Sequence, residues 1–169
     1  MIESLPQFVP QQACLSCDGC CRFKEADSCW RPYVAPEEAR SKGRLAEALA
    51  KDIDENNYIK TAEEKGCFHC AFFHPADHVC HVYAIRPFEC RLYPFLLTKE
   101  KNLPAVSVHL SCPYVQEHEH DGSFKRYVRA LKEYFRQGNV LKFVLRNPSL
   151  AKRYPQHENE IKHLFTLVQ

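Results

Sequence analysis

The 169-residue chain carries 23 Lys and Arg against 21 Asp and Glu, a formal charge of +2, with 45% apolar and 26% charged residues. These proportions suit an ordinary globular chain, expected as one domain (1–169) burying about 70% of its unfolded surface. No apolar run approaches bilayer-spanning length, and Met1-Ile2-Glu3-Ser4 lacks the basic start of a secretory leader, so no membrane contact and a cytoplasmic setting are expected.

Ten cysteines are the unusual feature. A reducing cytosol does not favour disulfides, so metal ligation is the leading reading and a secreted disulfide protein the alternative. Residues 1–13 read as an irregular arm, in which Pro6, Phe8 and Pro10 lead into Cys14-Leu15-Ser16-Cys17-Asp18-Gly19-Cys20-Cys21. This C-x2-C-x2-C-C run brings three sulfurs to one side of a tight turn, where Gly19 is expected to take positive φ. Cys20 and Cys21 are adjacent and are expected to point in different directions. Metal or cluster ligation therefore explains the spacing better than inert core thiols or disulfides.

Cys29 and the only tryptophan, Trp30, come next. Pro36-Glu37-Glu38 opens a helix with proline and acids in its first turn. Ala39, Leu45, Ala46, Leu49, Ala50 and Ile53 continue it as one apolar stripe that Gly43 weakens without breaking, and Asn56-Asn57 ends it. Tyr58-Ile59-Lys60 reads as a short strand. A second cysteine block holds Cys67-Phe68-His69-Cys70, Cys80-His81-Val82-Tyr83 and Arg86-Pro87-Phe88-Glu89-Cys90-Arg91-Leu92-Tyr93-Pro94-Phe95. The alternation Ala105–Leu110 predicts a strand leading to Cys112-Pro113.

From Ser123, an expected N-cap, Phe124, Tyr127, Val128, Leu131, Tyr134 and Phe135 form one helical face with Gly138 as its stop. Val140–Leu145 reads as a further helix broken at Asn147-Pro148, and Asn159–Leu167 as the last one. Segment 123–154 holds nine Lys or Arg against the single acid Glu133. That basic stretch is either a solvated face or a surface for an anionic partner such as nucleic acid or an acidic protein. His69, His118 and His120 are expected to be solvated rather than ligating.

Taken together, the two blocks resemble the CxxCxxCC cysteine-cluster family (YkgJ-like), a zinc- or iron-chelating domain. The resemblance runs over roughly residues 14–113 and implies metal ligands at Cys14, Cys17, Cys20, Cys21, Cys70, Cys80, Cys90 and Cys112. Cys29 and Cys67 are additions to that pattern. Eight thiols divide into two four-ligand sites, for zinc, for clusters, or for one of each. Cys14, Cys17 and Cys20 match the first three ligands of a bacterial ferredoxin run, and Cys112-Pro113 echoes its closing Cys-Pro. That favours an iron–sulfur cluster over zinc. Arg86 and Arg91 bracket Cys90; they either offset thiolate charge or pack on Tyr83 or Tyr93 and pair with surface acids.

The fold expected is mainly α, with a small α+β arrangement as the alternative: irregular Cys-rich loops organised around metal sites (14–113) and a helical, basic part (123–169). The function expected is a cytoplasmic metal-binding protein holding an iron–sulfur cluster or zinc, in a structural role and with redox or metal handling beside it. Two alternatives belong to other classes. Flagellin lysine N-methylases carry a similar cysteine cluster, which makes protein methyl transfer one; five glycines and no G-x-G argue against a doubly wound nucleotide fold. A zinc module binding nucleic acid through 123–154 is the other.

Overall fold

In the computed structural model, residues 5, 7–17, 19–40, 44–49 and 51–168 are described. They form two compact units, one of Pro10–Arg91 and one of Met1–Val9 with Leu92–Gln169. About 38% of the chain is helical and 25% is strand, in three antiparallel sheets. The mainly α expectation is therefore wrong.

The cysteine-bearing unit is assembled from short pieces. Helix α1 (Gln11–Leu15) and a 3-10 turn at Gly19–Cys21 lead into β1 (Arg22–Phe23). Helices α2 (Pro36–Ala39) and α3 (Arg44–Leu49) precede β2 (Thr61–Glu64) and β3 (Cys67–Cys70). A small ladder of β4 (Phe73–His74) and β5 (Val79–Cys80) and the helix α4 (Phe88–Leu92) follow. The sheet order is β1-β3-β2. Its β2–β3 hairpin closes on Lys65 (φ 53°) and Gly66 (φ 79°), two left-handed residues of the type I′ class whose twist matches the strands.

The single helix expected from Pro36 to Ile53 is two helices; Gly43 and Ala50 lie outside the described residues. Ile53 is not helical. Asp54 Oδ1 accepts the N–H groups of Asn56 and Tyr58, both at 2.9 Å, and this side-chain turn folds the chain back so that Ile53 bridges Ile59. The expected strand at Tyr58–Lys60 is reduced to that bridge and a second one, Tyr33 with Tyr58.

The other unit carries regular structure. Strands β6 (Phe95–Glu100) and β7 (Leu103–His109) pair across another left-handed two-residue turn, Lys101 (φ 48°) and Asn102 (φ 69°). Helix α5 (Pro113–His118), the 15-residue α6 (Gly122–Arg136) and α7 (Gly138–Arg146) come next. Phe124, Leu131, Tyr134 and Phe135 of α6 are buried, as the stripe predicts. Asp121 rather than Ser123 occupies the N-cap, and Gly138 opens α7 instead of ending α6.

The last expected helix is a strand, β8 (Ile161–Thr166), giving the sheet order β6-β7-β8. A bulge explains why it looked helical. Phe165 faces Val106 while His163 faces Ser107, so Leu164 is the extra residue. The insertion breaks period-two alternation and leaves Ile161, Leu164 and Phe165 at helix-like intervals. Among the described residues no helix is long and apolar enough to cross a membrane.

Candidate metal centre

The 3-10 turn at Gly19–Cys21 brings the two adjacent thiols together rather than apart: Cys20 Sγ lies 3.9 Å from Cys21 Sγ. Gly19 does not use positive φ; among the described glycines only Gly66 does. A Cβ at Gly19 would stand 3.6 Å from Cys17 Sγ, so the Cys17 sulfur lies against the turn. Asp18 lies outside the described residues.

Elements from the second block supply three further thiols: Cys70 from the end of β3, Cys80 from the end of β5 and Cys90 from α4. Cys14, Cys20, Cys21, Cys70, Cys80 and Cys90 form one group: the other five all feel the charge of Cys20, and Cys21, Cys70, Cys80 and Cys90 each feel at least one further member. Sequence positions 14 to 90 are thus drawn to one place. The group also rests on apolar structure: Cys70 is part of the buried core with Phe23, Val34, Leu49, Ile59, Phe72, Phe73 and Val82, and Cys21, Cys80 and Cys90 pack against it.

Desolvation dominates the electrostatics. Burial pushes the Cys70 thiol up to about 12. It also raises Cys14, Cys80 and Cys90, the last with help from Cys70 and Glu89. Cys21 is raised by its sulfur contact with Cys20 first and by burial second. Without a cation these groups stay protonated, because several buried thiolates would repel one another in a medium that solvates them poorly.

One arginine opposes that cost. Arg86 Nη1 approaches Cys14 Sγ at 3.8 Å, its Nε donates to the Tyr83 carbonyl at 3.0 Å, and its guanidinium sits 3.7 Å above the Tyr83 ring. The two expectations for this residue hold at once: it packs on Tyr83 and it faces a thiol. Arg91 goes elsewhere, to Glu38 at 3.9 Å.

Sequence reasoning gave Glu89 no role, and took Tyr83 only as a packing partner for an arginine and Glu38 only as a helix-start acid. Tyr83 hydrogen-bonds the Cys14 thiol and lowers its pKa in company with Arg86. Glu89 accepts the Tyr33 N–H. Glu38 Oε1 accepts the Phe88 N–H at 2.7 Å and Oε2 the Ala35 N–H at 3.2 Å, tying the start of α2 to the helix that carries Cys90. The acid-rich first turn and the Phe-Glu-Cys wording were visible signals, but their long-range partners were not.

Cys67 and Cys70 share a C-x2-C spacing, yet β3 is extended, and positions three apart on a strand face opposite sides. Cys67 is accordingly exposed and Cys70 buried; Cys29 is exposed as well. Cys112 is buried at the N-cap of α5 and belongs to the other unit. His69 is buried rather than solvated, with its Nδ1 3.2 Å from the Cys70 carbonyl. His118 stacks on Tyr114, and His120 is exposed beside Glu119.

The donor set is of the kind that soft divalent metals and iron–sulfur clusters take, all thiol and drawn from six positions. The 3.9 Å between Cys20 and Cys21 is close to the ~3.8 Å edge of a tetrahedron with 2.3 Å metal–sulfur bonds. Among the described residues no three His, Cys, Asp or Glu side chains are arranged to hold one ion as they stand. The thiols are a pool of donors, not a closed coordination sphere.

Such a pool defines a cysteine-rich metal-binding module. The CxxCxxCC family, described as "Putative zinc- or iron-chelating domain", matches residues 13–120, and the chain belongs to it. No curated protein and no solved structure matches the chain.

Proposed function

We propose that the chain is a metal-binding protein whose centre lies in the 10–91 unit and is an iron–sulfur cluster held by Cys14, Cys20, Cys21, Cys70, Cys80 and Cys90, or by four of them. Cys17, on the same turn, belongs to the same donor set; Cys112, in the other unit, is not counted in it. The observation that carries this reading is the gathering of thiols from both cysteine blocks about Cys20, with Arg86 facing Cys14 and Cys80. The C-x2-C-x2-C spacing supports iron–sulfur over zinc. A second reading, zinc, is supported by the 3.9 Å sulfur pair, which suits two ligands of one ion.

When bound, either group supplies positive charge that converts buried thiols to thiolates and cross-links short elements. The protein's own part is to hold the sulfurs against the core and to place Arg86 and Tyr83 on the Cys14 side. We read the setting as cytoplasmic, since a reducing compartment keeps ten thiols available to a metal.

Anaerobic purification followed by iron, zinc and acid-labile sulfide analysis tests the proposal. Iron and sulfide in similar amounts with visible absorption are expected. Stoichiometric zinc and no colour would select the second reading. A folded protein with neither metal would overturn both.

A further inference from the structure

The 92–169 part of the chain has a feature that metal binding does not use. Its sheet has two edges, and they are treated differently. The outer edge of β6 is covered: Lys99 N–H donates to the Lys152 carbonyl and Lys152 N–H to the Leu97 carbonyl, both at 3.1 Å. Along the outer edge of β8 no strand pairs among the described residues. Leu167 N–H donates inward to the Pro104 carbonyl at 2.8 Å, so by strand alternation the N–H and C=O of Thr166 point outward.

A groove of about 410 Å³ lies between this edge and the C-terminal half of α6. Its floor is apolar, from Phe135, Phe165 and Leu167, and its polar wall carries Lys132, Arg136 and His163. Lys132 Nζ sits 5.8 Å from the centre of the Phe165 ring, which holds the ammonium over the groove. Arg136 pairs with Glu133 on the exposed helix surface, at 2.6 Å. Lys125, Arg126, Arg129, Lys142, Arg146 and Arg153 are also exposed on the same unit. Its volume falls within the roughly 300–1,000 Å³ typical of ligand sites.

A free strand edge, an apolar floor and a cationic wall have complementary demands. The edge takes main-chain hydrogen bonds from an extended chain. Alternate side chains of that chain share one face, and on the groove side apolar ones meet the floor while carboxylates meet the wall. Nucleic acid would satisfy the cations but not the edge, and a small anion would use neither edge nor floor. We propose that the groove between α6 and β8 binds an extended acidic peptide segment of a partner protein, which adds to the sheet as a fourth strand beside β8.

The test uses the full metal-loaded chain and a fluorescein-labelled peptide of about ten residues with the repeat Glu-Glu-Val-Val, which places both Glu and Val on each face and is long enough to form a strand. Fluorescence anisotropy should show saturable binding that weakens with added salt, since exposed charges are screened. Lys132→Glu, at an exposed position, should weaken it by about tenfold or more. Thr166→Pro removes one outward donor without touching the ladder to β7, and should weaken it too. The same peptide N-methylated at alternate residues keeps its charge and loses its main-chain donors; it should bind at least about tenfold more weakly. Equal binding of the N-methylated peptide, tighter binding of oligothymidylate, indifference to Lys132→Glu, or no peptide binding would each overturn the proposal. Lys132→Glu and the N-methylated peptide keep the test decisive if Thr166→Pro does not fold.

Discussion

The two units reach their folds by different means. The 92–169 part has a three-stranded sheet of six- and seven-residue strands and a 15-residue helix with a buried stripe. Among the described elements of the 10–91 unit, no helix exceeds six residues and no strand exceeds four. Pieces that short do not hold together by local preference, since isolated helices below about 12 residues are marginal even with good sequences. The cysteine group stands where the short pieces meet the core. The contrast teaches that one region is built from long regular elements over apolar surface, whereas the other is built from short pieces whose apolar core carries the thiol group on its border.

The largest expected effect breaks that contrast directly. Metal removal, or Cys90→Ser, should collapse hydrogen-exchange protection across residues 10–91 and leave β6, β7 and α6 protected. Structural zinc in small modules contributes about 10–16 kcal/mol, comparable to a domain's whole net stability of about 5–15. Uniform loss across the chain, or none, would remove the distinction.

The reverse experiment is next in size. Leu131 is fully buried in α6, and Leu131→Ala should cost about 2–5 kcal/mol through lost burial and a residual cavity. Metal content, measured by elemental analysis, should stay unchanged. A variant that loses metal as readily as Cys90→Ser would show that the regular unit also supports the centre.

Thiol chemistry sharpens the comparison at residue level. Brief alkylation of the native metal-loaded chain, mapped by mass spectrometry, should label the exposed Cys29 and Cys67 first. Cys70 and Cys90 should react last, because both are proposed ligands set against the core and stay covered while the metal is bound. Early labels on Cys70 or Cys80 with Cys67 protected would reassign the donor set.

The smallest effect concerns acid. Hydrogen bonds from His157 and Ser111 hold Glu160 down to about 2, below the ordinary glutamate value of 4.5. A depressed carboxylate stabilises the fold above about pH 4.5, and the contribution is lost as pH falls towards 2. Glu160 is largely exposed, so solvent screening keeps the effect modest. Glu160→Gln should flatten the loss of β7 and β8 amide protection over that window. An unchanged acid profile would show that these hydrogen bonds do not favour the folded state.

Legibility in the sequence followed the range of the interactions. The α6 stripe and the break at Asn147-Pro148 were readable because helix period and proline chemistry act within a few residues. Both left-handed hairpin turns were missed, since Lys65-Gly66 and Lys101-Asn102 lack the Asn-Gly or Asp-Gly wording that marks such turns. The β8 strand was misread because its bulged Leu164 imitates a helical interval.

At the centre, the sequence by itself determined the chemistry: thiols in excess, at metal-binding spacings, in a chain of the CxxCxxCC family. Which thiols meet was decided only by tertiary structure. Cys67 and Cys70 have the same spacing as Cys14 and Cys17, but an extended strand sends the former pair to opposite faces. Cys20 and Cys21 are adjacent, yet a 3-10 turn sets their sulfurs 3.9 Å apart. Spacing fixes contour length, whereas backbone conformation fixes direction. Only the packed core brings Cys80 and Cys90 to Cys20, and Arg86 to Cys14, across sixty residues or more.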